Sequence, residues 1–158
     1  MVKSTKISAL VLLGALVTAP SAQAISDRYR DLSARLTTNA EQALLQGKAR
    51  AADDMLNLAL TANPANAQAY VLKGQAQSKL ENKEEALRLI TVGLEIEPGD
   101  QAALKLQGEA VLAVGDVEQA EKSLSRLRVI CKAPCEAAND LADKLAKAGD
   151  SENAAEKD

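Results

Sequence analysis

Cys131 and Cys135 are the only cysteines of this 158-residue chain, and they flank Lys132, Ala133 and Pro134. Two thiols at this spacing can close a disulfide, exchange with other thiols or hold a soft cation such as Cu(I). A regular helix would strain an i,i+4 bridge, but Pro134 ends a helix and leaves the pair to span a turn. A structural disulfide is expected, because the chain carries an export pattern described below. The competing reading is a small thiol-redox or Cu(I)-handling protein, with Cys135 at a helix N-terminus that would lower its pKa. No strand-helix-strand pattern surrounds the pair, and no His or Met lies near it.

The remaining residues offer little chemistry. There is no His, Trp or Phe, and Tyr29 and Tyr70 are the only aromatic residues. Ser-His-Asp and Cys-His nucleophile systems are thereby excluded, as are histidine metal sites. Stacking platforms for bases or sugars are poor for the same reason. Asp53 with Asp54, and Glu84 with Glu85, are adjacent acids that point to different sides of a helix. They read as solvated helix starts rather than as an acid–base pair. No glycine-rich phosphate loop occurs. The net charge of −3 and the interspersed signs argue against nucleic acid. No enzyme activity and no cofactor are expected.

The N-terminus reads as an address. Lys3 and Lys6 precede an apolar run over residues 7–17, then Pro20 and the small-x-small triplet Ala22, Gln23, Ala24. That is the layout of a secretory signal peptide over residues 1–24, with Ile25 as the first mature residue. The run is shorter than the ~20 residues a spanning helix needs. No later stretch qualifies, so no membrane span is expected in the mature chain. The bacterial periplasm is the expected destination.

The elements that must position these residues follow a fixed interval. Three segments, 33–66, 67–100 and 101–134, align without a gap at a 34-residue period. Position 4 reads Leu36, Tyr70, Leu104; position 8 reads Ala40, Gly74, Gly108; position 20 reads Ala52, Ala86, Ala120; position 24 reads Leu56, Ile90, Leu124. Pro64 and Pro98 recur at position 32. Each repeat splits into two helices at a turn: Gly47-Lys48, Glu81-Asn82 and Gly115-Asp116. Asn66 and Asp100 stand where an N-cap is needed, and Asn82 and Asp116 suit capping boxes with Glu85 and Gln119. The small residues at position 8 are expected to let a neighbouring helix approach, with Ala52, Ala86 and Ala120 opposite. Residues 136–148 form an amphipathic cap helix with Leu141 and Leu145 on one face. Gly149 is expected to end it, leaving residues 149–158 as a disordered tail.

This pattern resembles the tetratricopeptide repeat (TPR), most fully in Tyr70, Gly74, Ala86, Ile90, Gly93 and Pro98 of the middle repeat. The resemblance implies an all-α fold: a right-handed helical solenoid of three helix-turn-helix repeats plus a C-terminal capping helix. Some positions depart from it. Position 7, often leucine in the family, is Asn39, Lys73 and Gln107; position 11, often tyrosine, is Ala43, Gln77 and Val111. The third repeat has Leu127 at position 27, usually small, and Lys132 at position 32.

The resemblance also implies a concave surface built from the first helix of each repeat. Carried over, that surface is Ala34, Thr37, Glu41 and Leu44; Gln68, Val71, Gln75 and Ser78; and Ala102, Lys105, Glu109 and Leu112. A basic clamp for a peptide's C-terminal carboxylate, one known use of the fold, would need Lys, Asn and Arg in the groove. Thr37, Glu41, Leu72, Ala102 and Leu106 stand there instead. The implied function is therefore a non-catalytic protein-interaction module or scaffold that receives an extended partner segment of unknown identity. Self-association through the array ends is a further option. Val71→Arg is expected to spare the fold and weaken capture.

Overall fold

The computed structural model describes residues 22–131 and 133–155. Seven helices occupy them: α1 Ala22–Leu45, α2 Ala49–Ala62, α3 Ala67–Lys79, α4 Lys83–Ile96, α5 Gln101–Ala113, α6 Val117–Ile130 and α7 Glu136–Ala155. No strand occurs among the described residues. Apart from Ala22–Ala24, which open α1, the segment expected to be a signal lies outside the described residues. No helix among the described residues is long and apolar enough to cross a membrane.

The helices pack as successive pairs, α1 with α2, α3 with α4 and α5 with α6, and each pair rests on the next. Three identical turns make the pairs. Gly47, Glu81 and Gly115 take left-handed conformations, with φ of 74°, 64° and 87°. The next amide then reaches back to a carbonyl five residues earlier: Lys48 to Ala43, Asn82 to Gln77 and Asp116 to Val111, each at 2.9 Å. This is the Schellman closure, which satisfies carbonyls the helix end would otherwise orphan.

The expected N-caps act as such at three of four positions. Asn66 accepts from the Ala69 amide, Asp100 from those of Ala102 and Ala103, and Asp116 from that of Gln119. Asn82 makes no side-chain cap; its amide instead donates to Gln77 Oε1 at 2.7 Å.

The core is assembled from small and aliphatic residues. Leu56, Ile90, Leu104, Leu127 and Leu141 are its largest wholly buried apolar side chains. Ala52, Ala86 and Ala120 are fully buried. A methyl placed on Gly74 would lie 2.6 Å from Ile90 Cγ1 and 2.8 Å from the Ala86 carbonyl oxygen, so α4 packs its backbone and the Ile90 side chain directly on α3 there. Gly108 differs: its close neighbour is Leu141 of α7, not a residue of α6. Leu127, which departs from the repeat pattern, is wholly buried beneath the cap helix's cluster.

The cap helix also runs further than expected. It passes through Gly149 and continues to Ala155. A helical glycine costs only about 1 kcal/mol against alanine, and neither a proline nor a left-handed residue follows to enforce a stop. Residues 156–158 lie outside the described residues.

Candidate functional site

The first helices of the three pairs, α1, α3 and α5, border one concave cavity of about 860 Å³. Glu41 approaches it from α1; Gln68, Val71, Leu72 and Gln75 from α3; Ala102, Lys105, Leu106 and Glu109 from α5. Two turns close its rim, with Asn63, Ala65 and Asn66 before α3 and Glu97 and Asp100 before α5. Lys144 reaches in from α7. The 34-residue interval places each first helix one step along the same wall, which is why residues of equal repeat position gather there.

Seven of the twelve groove residues carried over from the repeat pattern line this cavity: Glu41, Gln68, Val71, Gln75, Ala102, Lys105 and Glu109. Their exposure divides them. Gln68 is exposed, and Glu41 and Gln75 are partly so. Val71 is only 4% exposed and belongs to the core cluster. Its side chain presses on Gly93, where a methyl would lie 2.5 Å from Val71 Cγ2. Val71→Arg would therefore break the α3–α4 contact, and the expectation that it spares the fold is corrected. Ser78 is exposed beside a smaller depression of about 170 Å³ that it shares with Gln75 and Glu109.

Thr37 and Leu44 turn inward. Leu44 packs in the core of the first two repeats. Thr37, at 1% exposure, donates to the Ser33 carbonyl at 2.8 Å and accepts from Asn66 Nδ2 at 3.0 Å. The same Asn66 amide donates to Ser33 Oγ at 2.8 Å. These contacts tie the α3 cap to α1, so Thr37 is a buried joint and not a surface. Leu112 is partly buried and does not border the cavity.

Lys105 and Glu109 are engaged within the molecule. Lys105 Nζ lies 2.5 Å from Asp140 Oδ2, and Lys144 Nζ lies 2.7 Å from Glu109 Oε1. A 4.0 Å contact joins Lys105 to Glu109. The Asp140 carboxylate raises the Lys105 pKa through their hydrogen bond, and Lys105 in turn holds Asp140 below the usual carboxylate range. Both partners sit on α7, whose register against α5 the repeat pattern could not supply.

A second polar cluster lies between the first two repeats. Asp53 Oδ1 accepts from Lys73 Nζ at 2.7 Å and from Gln77 Nε2 at 2.8 Å. Asn82 completes it through Gln77. Asp53 is thus no solvated helix start: its side chain is 17% exposed. Burial pushes its pKa up, but hydrogen bonds from Lys73 and Gln77 and the charge of Lys73 outweigh that and hold it below its ordinary value. The departures at repeat positions 7 and 11, Lys73 and Gln77, are the two donors of this cluster.

Cys131 caps the end of α6 and is joined by a disulfide to Cys135, just before α7, with Cα atoms 5.7 Å apart. The bridge flanks a shallow depression of about 710 Å³ that includes Lys105 and Asp140.

Solved structures carry the same arrangement of helices. The first TPR of Spaghetti (RPAP3), bound to the HSP90 peptide SRMEEVD, superposes with a TM-score of 0.68 at 22% identity, over 75% of this chain and 96% of that one. The Arabidopsis OM64 TPR domain gives 0.69 at 18% identity, over 75% of this chain and 98% of that one. The TPR2B domain of yeast Sti1, in a complex with pHsp70, gives 0.70 at 17% identity, over 77% and 98%. The fold is a tetratricopeptide-repeat solenoid. No protein-family sequence model matches this chain, and neither does any curated protein sequence. The likeness is therefore one of architecture: paired helices, stacked in series, with a concave face.

Proposed function

We propose that this protein is a non-catalytic binding module or scaffold of the bacterial periplasm, holding an extended partner segment in its concave groove. The observation that carries the reading is the cavity shared by α1, α3 and α5, with the partly exposed Leu106 in its wall and the exposed Gln68 at its border. Apolar floor and amide-bearing rim suit an extended backbone, which needs both contact area and hydrogen-bond partners. The peptide-bound Spaghetti and Sti1 domains support this by analogy of fold. Their ligands do not transfer, since Thr37, Glu41, Leu72, Ala102 and Leu106 provide no cationic clamp. Export is supported by the pattern of residues 1–24 and by the disulfide, which persists in oxidising compartments.

The test is site-specific photo-crosslinking in cells, with the probe at Gln75 and a control probe at Leu58 on α2, which is 60% exposed. The expected result is one dominant adduct at Gln75, mapped by mass spectrometry to a contiguous partner segment and absent at Leu58. Equal capture at both positions, or none at Gln75, would remove the groove from consideration. Cell fractionation checks the compartment; recovery in the cytoplasm with residues 1–24 intact would refute export.

A further inference from the structure

We infer that the segment held in the groove is cationic, an extended stretch of a partner protein bearing Lys or Arg side chains. This rests on the groove reading and names the chemistry of its partner. The cavity wall carries four carboxylates, on Glu41, Glu97, Asp100 and Glu109, against two ammonium groups, on Lys105 and Lys144. Both ammonium groups are already matched within the fold, Lys105 by Asp140 and Lys144 by Glu109. Asp100 caps α5, its carboxylate accepting from two amides. Glu41 and Glu97 make no ion pair among the described residues. The groove therefore presents carboxylates without a counter-ion at two separated points, one on α1 and one on the turn before α5.

Physical consequences follow for what can enter. An acidic segment would meet like charge with no free cation to receive it. A neutral segment would gain the apolar floor alone. A segment with cations spaced along it would gain the floor and both carboxylates. A concave wall of net negative charge attracts the opposite sign and speeds its encounter. The chain as a whole is acidic as well, so long-range attraction and local fit act together.

Three fluorescein-labelled peptides of one repeating pattern, Lys-Val-Ser, Gln-Val-Ser or Glu-Val-Ser, would be titrated against the mature chain by anisotropy. The Lys peptide should bind roughly tenfold tighter than the Gln peptide, and the Glu peptide should not bind. Added salt should weaken the Lys complex. Joint Glu41→Gln and Glu97→Gln substitution should weaken the Lys complex roughly fivefold with an unchanged melting curve. Joint Glu118→Gln and Glu121→Gln substitution on α6 should leave it intact. The inference is overturned if the Lys peptide does not bind, if the Gln or Glu peptide binds as tightly, or if the two double variants lose affinity equally. A Gln75 crosslink mapped to a neutral or acidic partner segment would also overturn it while leaving the groove reading standing. Failure of the Gln75 probe to capture anything in the groove would fell both.

Discussion

Asp53 shows how one side chain can decide the junction between two repeats. It belongs to α2, yet its carboxylate gathers Lys73 and Gln77 of α3. Asp53→Ala would leave both donors short of their acceptor in a partly buried place, at a cost of about 2 kcal/mol. The pH dependence has a definite sign. The folded carboxyl lies below its ordinary value, so its stabilisation is complete above that value and is lost as pH falls through and below it. The stability difference between the native chain and Asp53→Asn, read from urea melts, should be flat above about pH 5 and shrink toward pH 3. A difference that grows on acidification would contradict the pairing. Lys73 and Gln77 were visible in the sequence only as departures from a repeat pattern. Their partner lies 20 and 24 residues earlier, and neither helical period nor composition links them.

At the scale of the element, the 34-residue interval reaches down to single backbone angles. Position 15 of each repeat is left-handed, and glycine fills it at Gly47 and Gly115 but not at Glu81. A non-glycine residue there costs roughly 1–2 kcal/mol, against roughly 0.5–1 kcal/mol of backbone entropy that glycine would add to the unfolded chain. Glu81→Gly should therefore raise stability by about 0.5–1 kcal/mol, visible as a higher urea midpoint with an unchanged slope. A lower midpoint would show that the Glu81 side chain contributes more than its backbone costs. Helix pairs, turns and three of the four expected N-caps were legible because each depends on residues within a few positions. The end of α7 was not legible: Gly149 is a weak stop by itself, and packing sets how far a helix extends.

Across the whole molecule, α7 closes the stack. Leu141 fills the space that Gly108 leaves, and Asp140 and Lys144 match the charges of α5. The Cys131–Cys135 bridge fixes where this helix starts relative to α6. Reducing it frees a five-residue loop, worth about 2 kcal/mol in the loop-entropy account. Reduction should lower the melting temperature by roughly 5–10 °C. An unchanged melt after verified reduction would show that packing alone seats the helix. Three repeats give each pair few neighbours, so loosening one end should be felt throughout. The sequence by itself determined the paired-helix architecture, the interval and the lack of His, Trp and Phe, because periodicity and composition are local properties. Only the tertiary structure decided which groove residues face inward. It turned Thr37, Leu44 and Val71 into the packing and bound Lys105 and Glu109 to α7. A repeat position specifies a direction around one helix, whereas exposure depends on what the neighbouring helices bring against it.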